Sequence, residues 1–134
     1  MSLSIRIQEK FCAGLSLTNP NLSNEENISR YHQWVEKHGH DFYLEVTVTG
    51  QISPLTQCVI DYDVLRNIVQ SEIISQVDHR YLNDIEMFNN IVPTTENMVQ
   101  IFANLISKSL PSNVRLTKLL IKDGGENATI LVLD

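Results

Sequence analysis

The N-terminal part of the chain alternates strictly between apolar and polar residues. One parity is apolar and carries Ile5, Ile7, Phe11, Ala13, Leu15 and Leu17. The opposite parity carries Arg6, Gln8, Lys10 and Ser16. A period of two is typical of a β-strand with one buried face and one wet face. The alternation returns from about His38 to Thr49, with Phe42, Leu44, Val46 and Val48 on one face, and predicts a second strand of the same kind.

A polar insertion, residues 18–37, separates these two strands. Within it, Ser23 and Glu26 have the S-x-x-E spacing of a capping box, which predicts a short helix that ends before Gly39. After the second strand, Gly50 and Pro54 break the pattern. We expect residues 57–61 to return as a hairpin strand.

Two later segments repeat apolar residues at helical spacing. The first contains Val64, Leu65, Ile68, Val69, Ile73 and Val77, and the second contains Met98, Phe102, Leu105, Ile106 and Leu110. This spacing predicts two amphipathic helices. Pro93 and Thr94 suit the start of the second helix, and Pro111 ends it. Residues 115–122 and 128–133 flank Gly124-Gly125, a pattern that predicts a final hairpin.

The order of these elements predicts an α+β fold. Hairpins at both ends of the chain, with two helices between them, favour a four-stranded antiparallel sheet with both helices packed on one face. A length of 134 residues suits a single domain, which we expect to span residues 1–134. The edges of such a sheet need cover, and self-association into a closed barrel is one physical solution.

Composition narrows the classes of function. The formal net charge is −6, and the chain lacks the excess of Lys and Arg that nucleic-acid binding requires. No run approaches the ~20 apolar residues of a membrane span, and no signal peptide is visible. Cys12 and Cys58 are not closely spaced, so we interpret them as buried or half-buried thiols in a reducing cytoplasm. The expected partners are small molecules or further copies of the chain, without nucleic acid or membrane.

The triplet His38-Gly39-His40 opens the second strand. Residues at i and i+2 of a strand project from the same face, so both imidazoles point to the side of the apolar parity. Paired in this way they could bind zinc, although a structural or incidental role explains them equally well. Catalytic zinc normally takes three protein ligands and keeps one open position.

Two further clusters carry candidate chemistry. Asp78 could orient His79 for proton transfer, or His79 could simply complement the C-terminal dipole of the preceding helix. Thr95 and Glu96 stand at the start of the second helix, where capping and the helix dipole favour these residue types. Their functional alternative is a hydroxyl and a carboxylate that bind the amide and amine edge of a heterocycle.

Taken in order, these clusters resemble the 6-pyruvoyl-tetrahydropterin synthase family, which includes the bacterial 6-carboxytetrahydropterin synthases. The resemblance is carried by Phe11-Cys12-Ala13, residues 22–27, His38-Gly39-His40, residues 78–83 and residues 93–97. It implies the tunnelling fold, in which subunits join their sheets into a trimeric barrel. It also implies that trimers often stack as hexamers and that active sites lie between subunits.

The resemblance implies a metal and base set that is incomplete in this chain. The family's three zinc histidines correspond to His38, His40 and a first-strand position that is Leu15 here. Leucine cannot bind a metal, so zinc is implied only with an incomplete ligand set. The family's catalytic cysteine lies a few residues before the triplet, where this chain has Trp34.

The remaining family roles have counterparts. The Asp and His partners of that cysteine match Asp78 and His79. The threonine and glutamate that begin the helix match Thr95 and Glu96 as substrate-binding residues. Asp123 stands near the pterin-anchoring glutamate of the late strand as a shortened replacement.

Other residues could fill the gaps. His32 could serve as a third ligand, and Glu36 could act as a base, whereas Cys12 should face away from Leu15 because it lies three positions away on a strand. One hypothesis is therefore a protein that binds a pterin or related heterocycle with reduced or lost lyase activity. Another is an active lyase with a rearranged site, in which Asp78, His79 and Glu36 act on a dihydroneopterin triphosphate-like substrate. A third is a structural subunit of the oligomer. The choice between trimer and hexamer stays open.

Overall fold

The computed structural model describes residues 2–134 of the chain. Its strands are β1 (Ser4–Leu15), β2 (His38–Gly50), β3 (Arg80–Tyr81), β4 (Val114–Lys122) and β5 (Ala128–Val132). Its helices are α1 (Asn24–Tyr31), α2 (Tyr62–Val69), a single turn α3 (Ser75–Val77) and α4 (Thr95–Ser109). A 3₁₀ turn (His32–Val35) follows α1, and a π-helical turn (Gln70–Ile74) joins α2 to α3. Two further 3₁₀ turns, Leu82–Asp84 and Glu86–Phe88, lie between β3 and α4.

One sheet runs through the molecule in the order β3-β1-β2-β4-β5. Strands β1 and β2 form a long antiparallel pair in which Ser4 lies opposite Thr49 and Leu15 opposite His38. Strand β4 is antiparallel to β2, and β5 to β4. The N-terminal strand β1 therefore lies inside the sheet beside β2, and the C-terminal strand β5 forms one of its edges.

The core lies on one face of this sheet, between the strands and the helices α2 and α4. Phe11 of β1 stacks on Phe42 of β2, with ring centroids 4.9 Å apart, and Phe102 of α4 meets Phe11 edge-on at 6.1 Å. The apolar parities of both strands face this core, with Leu44, Val46 and Val48 fully buried. The predicted α+β fold with helices on one face is confirmed.

The predicted helix signals act as caps. The Ser23 hydroxyl accepts from the Glu26 N–H while the Glu26 carboxylate accepts from the Ser23 N–H, which completes the capping box of α1. Thr94 caps α4 by accepting from the N–H of Asn97 at 3.1 Å. The first long helical pattern is less regular than predicted, because the π-helical turn interrupts it.

The prediction of a four-stranded antiparallel sheet is wrong by one strand. Arg80 and Tyr81 pair in parallel with Ala13 and Gly14 and form a fifth strand, β3, at the edge. This strand is held by the preceding turn, where the His79 N–H donates to the carbonyl of Cys12 at 2.6 Å. A strand of only two residues is too short to show a hydrophobic periodicity, so the sequence pattern could not indicate β3.

The predicted return strand at residues 57–61 is also wrong. The Ser53 N–H donates to the Cys58 carbonyl at 2.9 Å, and the Gln57 N–H donates to the Ser53 carbonyl at 2.7 Å. This tight turn uses the backbone groups that a strand would need for pairing. Cys58 is consequently exposed rather than buried or half-buried, whereas Cys12 is half-buried, and both thiols are free.

No helix among residues 2–134 is long and apolar enough to cross a membrane. Within the same residues, the outer edge of β5 pairs with no other strand. Ile130 and Val132 stand on this strand with 53% and 68% of their surface exposed. The sheet is thus open at an edge that carries apolar side chains.

Candidate functional site

A cavity of about 350 Å³ opens beside the end of the β1–β2 pair, next to the N-terminus of α4. Its polar lining comes from His38, His40, Thr94, Thr95, Glu96 and Asp123. Its apolar lining comes from Leu15, Leu17, Trp34, Phe42, Pro93 and Met98. The structure thus brings together five residues that were identified as candidates in separate segments of the sequence: His38, His40, Thr95, Glu96 and Asp123.

The two imidazoles enter this cavity because they occupy alternate positions of β2. Their ring centroids are 5.1 Å apart. The Nδ1 atom of His38 lies 2.8 Å from the carbonyl oxygen of Glu36, an atom that can only accept, so Nδ1 carries the proton and Nε2 is left free. Between them, Gly39 lies close to β1, since a Cβ there would be 3.3 Å from the Ala13 carbonyl oxygen.

The side chains around the imidazoles do not fit a tetrahedral zinc site. Leu15 lies directly opposite His38 in the strand register, is only 4% exposed and lines the cavity with an aliphatic side chain. His32 is exposed in the 3₁₀ turn, outside the cavity lining. Among residues 2–134, no group of three His, Cys, Asp or Glu side chains could hold a metal ion. Two imidazoles fall short of the three protein ligands that catalytic zinc takes.

An indole occupies the place where the resemblance puts a thiol. The Trp34 ring lies 5.1 Å from the His38 ring and 6.4 Å from the His40 ring, measured between centroids. Its backbone is tied to the end of the first strand, because the Leu17 N–H donates to the Trp34 carbonyl at 2.8 Å. The ring lines the cavity and yet is 44% exposed.

Two carboxylates also line the cavity. Glu96 lies in the first turn of α4, where it is exposed and accepts from the Thr95 hydroxyl at 3.1 Å. The Thr95 hydroxyl also lies 2.7 Å from the Thr129 hydroxyl of β5. Asp123 follows the last residue of β4 and is half-buried. This wall therefore offers hydrogen-bond acceptors to a ligand.

The turn that carries Asp123 rests on β2. Gly124 has φ +91°, and a Cβ there would lie 3.1 Å from the carbonyl oxygen of Asp41. Glycine suits this position because it adopts positive φ without strain and has no side chain to separate the two backbones. The contact fixes Asp123 relative to the strand that supplies the imidazoles.

Asp78 and His79 lie outside the cavity, where both contact the backbone of Cys12. His79 borders a shallow depression of about 650 Å³ together with Cys12, Gly39, Asp41 and Arg80. His40 borders both this depression and the cavity. Within one chain, the predicted proton-transfer pair therefore lies outside the cavity that the two imidazoles line.

The Asp78–His79 pair has the geometry for proton transfer. One Asp78 carboxylate oxygen accepts from the Cys12 N–H at 2.9 Å and lies 3.1 Å from His79 Nδ1. The bond from the Cys12 backbone lowers the pKa of Asp78, against a smaller opposing effect of burial. His79 adopts φ 59°, a left-handed conformation that is uncommon outside glycine and that His32 also adopts at φ 58°. Its ring is 79% exposed, so it is open to a ligand or to another chain.

Sequence inspection did not identify Asp41. The Cys12 thiol donates to the Asp41 carboxylate at 2.8 Å, and this bond raises the pKa of Cys12. The pKa of Asp41 is lowered by the same bond and then by the Lys10 ammonium, 3.5 Å away. The sequence does carry a signal for this contact. Cys12 and Asp41 both occupy polar-face positions of the two predicted strands, and they lie opposite each other when the strands pair. As expected, Cys12 faces away from Leu15.

Glu36 is exposed, and its side chain does not line the cavity. Its backbone carbonyl, rather than its carboxylate, contacts the His38 ring. Its role as a base stays a prediction.

Comparison with known proteins gives matches over most of the chain. A family profile described as 6-pyruvoyl tetrahydropterin synthase matches residues 4–131. The chain is 39% identical over 97 residues to a dihydroneopterin monophosphate aldolase of Pyrococcus furiosus, a match that covers 72% of the chain and 79% of that protein. It is 31% identical over 123 residues to the human 6-pyruvoyl tetrahydrobiopterin synthase, covering 90% of the chain and 84% of that protein.

A solved structure agrees as well. The 6-pyruvoyl tetrahydropterin synthase of Caenorhabditis elegans superimposes with a TM-score of 0.88 at 26% identity, over 98% of this chain and 96% of that one. The likeness confirms the fold expected from the sequence resemblance, apart from the number of strands.

Proposed function

Since this chain belongs to the 6-pyruvoyl tetrahydropterin synthase family, we propose that it binds a pterin or a related heterocycle in the cavity beside α4, with reduced or lost lyase activity. One observation carries the proposal: a single cavity combines an apolar wall with two carboxylates and a hydroxyl. Small-molecule sites typically have this character, mostly apolar with a few convergent polar groups.

The acceptor wall matches one edge of a pterin. The 2-amino-4-oxopyrimidine ring of a pterin presents neighbouring N–H donors, and a carboxylate can accept two of them side by side. Hydrogen bonds to a charged acceptor are roughly twice as strong as neutral ones. Glu96 is the proposed main acceptor, with the Thr95 hydroxyl oriented against it and Asp123 beside it.

Reduced activity is inferred from two side chains. Leu15 occupies the place of the third imidazole, and Trp34 occupies the place of the thiol. A general base is worth about 10²–10⁴ in rate. Without the thiol and with two imidazoles in place of three, the family's usual chemistry loses both its base and its ligand set.

A second candidate is an active lyase with a rearranged site, acting on a dihydroneopterin-class substrate. It is favoured by the 39% identity to a protein named as an aldolase. A retro-aldol step breaks the bond between the two hydroxyl-bearing carbons nearest the ring. The base removes the proton of the outer hydroxyl, and the outer fragment leaves as an aldehyde. The electron pair of the broken bond passes to the carbon that stays on the pterin, which then takes up a proton. Asp78, His79 and Glu36 are the residues proposed to move these protons.

Oligomerisation would join the two halves of such a site. In one chain His79 does not line the cavity, so a neighbouring copy would have to bring its Asp78–His79 pair to it. The unpaired edge of β5, with Ile130 and Val132 exposed, supports edge-to-edge pairing of copies into a trimeric barrel, or into a hexamer of two such barrels.

Binding and turnover can be tested on one preparation. Titration with pterin, followed by calorimetry, should give saturable binding that weakens at least tenfold in Glu96→Gln, because the neutral amide offers a single acceptor oxygen. Glu126→Gln, in the exposed turn after Asp123, is the matched control and should bind like the wild type.

Incubation with dihydroneopterin monophosphate and with the triphosphate, followed by chromatography of the fluorescent products, separates the two candidates. Turnover that disappears in His79→Ala would establish the active lyase and overturn the proposal of lost activity. Absence of both binding and turnover would overturn the cavity assignment and leave the structural subunit.

A further inference from the structure

The backbone and the indole ring of Trp34 each make a defined contact beside the cavity. The backbone bond from Leu17 holds its carbonyl at 2.8 Å, and the ring leans on His38 at a tilt of 56°. Strand β2 fixes His38 in turn. The backbone of Trp34 is thus anchored to the end of the first strand, and its indole packs beside an imidazole of the second.

The indole lines the same cavity as the acceptor wall. Glu96, Asp123 and Trp34 all line this space, and Trp34 keeps 44% of its surface exposed. Leu15 and Met98 supply the remaining apolar wall. A planar heterocycle whose edge meets the carboxylates would therefore lie with its ring face near the indole.

We infer that Trp34 is the stacking surface for the heterocycle and sets the preference for ligands with a fused two-ring face. The inference rests on the proposed function and deepens it. Trp34 stands at the position of the family's thiol. In this inference it replaces a reactive group with an aromatic ring that binds the ligand. Stacking a nucleobase on an aromatic side chain contributes enough to binding that its removal weakens affinity by about 5- to 150-fold.

The competing explanation is that Trp34 is an apolar plug over the imidazoles. The two differ in which property of the side chain matters. A plug needs bulk and apolar surface, which leucine also supplies. Stacking needs a planar π-face, which phenylalanine supplies and leucine does not. Trp34→Phe and Trp34→Leu therefore form a discriminating pair.

The experiment uses two probes with the same recognition edge. Pterin has two fused rings, and isocytosine is the single pyrimidine ring with the same amino and oxo groups. Stacking predicts that Trp34→Leu weakens pterin binding by about tenfold or more, whereas Trp34→Phe stays within a few-fold of the wild type. Isocytosine should lose less affinity than pterin in Trp34→Leu, because it covers less of the indole.

Two controls keep the outcome interpretable. Tyr62→Leu removes an exposed aromatic ring outside the cavity and should change neither affinity. Melting temperatures report whether each variant folds. Equal pterin affinities for Trp34→Phe and Trp34→Leu, or equal losses for both probes, would overturn the stacking inference while leaving the proposed function intact. Failure of the wild type to bind pterin would overturn the proposed function itself, and the inference with it.

A second readout needs no substitution. Trp34 is the single tryptophan of the chain, so tryptophan fluorescence reports this site alone. Bound isocytosine, which does not absorb the indole emission, should reduce quenching by acrylamide. Binding detected by calorimetry with unchanged acrylamide quenching would place the ligand away from the indole and contradict the inference.

Discussion

Restoring a third imidazole at Leu15 should convert the cavity into a zinc site. In Leu15→His the new ring would stand opposite His38, since cross-strand partners have Cβ atoms about 4.5–5.5 Å apart. The existing pair is already suitably spaced. With a Zn–N distance near 2.0–2.1 Å and tetrahedral angles, two bound rings have centres about 5.2 Å apart. The observed separation of His38 and His40 is 5.1 Å.

The cost and the gain can be estimated separately. Leu15 is 4% exposed, so removing its side chain and burying an imidazole in its place costs about 2–3 kcal/mol without metal. This is about 10 °C in melting temperature for a domain of this size. Zinc at a hundred times its dissociation constant would restore about 2.7 kcal/mol. The two effects nearly cancel, so the variant should melt well below the wild type in EDTA and close to it in zinc.

Thermal unfolding in EDTA and in zinc, with metal analysis of the dialysed protein, measures both effects. Leu15→Asn is the matched control, because it places a polar side chain at the same position and should show the loss without the rescue. Leu15→His combined with His38→Ala should also lose the rescue. The reasoning would be refuted by a Leu15→His protein that ignores zinc, or by a wild type that retains one zinc per chain after dialysis.

The remaining predictions concern Asp78, Cys12 and Asp41, which lie outside the cavity. The pKa of Asp78 is lowered in the folded state, so its carboxylate stabilises the fold above the ordinary value near 3.9, and this stability disappears as the pH falls through the folded pKa. Melting temperature between about pH 5 and pH 2 should therefore fall more steeply in the wild type than in Asp78→Asn, and parallel curves would contradict the role of the Cys12 N–H bond. Asp41 raises the pKa of Cys12, so the thiol of Asp41→Ala, in a Cys58→Ser background, should be alkylated faster by iodoacetamide at mildly alkaline pH. Mass spectrometry follows the alkylation. Equal rates with and without Asp41 would show that this bond does not control the reactivity of the thiol.

Pattern predicted the central elements of the fold well. The alternation around Phe11 and Phe42, the capping box at Ser23 and the cap at Thr94 act through neighbouring residues and are visible in the sequence. The edge strand at Arg80 and Tyr81 was missed, because the two residues before it, Asp78 and His79, are held by hydrogen bonds to Cys12, far away in the chain. Local sequence carries no signal of such a contact.

The sequence predicted which residues belong to the candidate site better than it predicted how they are arranged in space. His38, Glu96 and Asp123 come from three distant segments, and their meeting in one cavity follows from the order β1-β2-β4 of the sheet and the position of α4. The division between this cavity and His79 could not be predicted, because it depends on which side of β1 the turn after α3 reaches. Asp41 was missed because Cys12 was considered only for its position relative to Leu15 on the same strand. Its cross-strand neighbour on β2 was not considered.

The Gly124 contact gives the loop between β4 and β5 two unequal parts. Asp123 and Gly124 are locked against the backbone of Asp41, whereas residues 125–127 are exposed and a Cβ on Gly125 would meet only the Asp123 carboxylate, 3.8 Å away. Extra residues at the tip would therefore leave the carboxylate where it stands. The tip is a natural insertion point for a dye-bearing peptide or a second recognition loop, placed beside the ligand without rebuilding the walls that hold it.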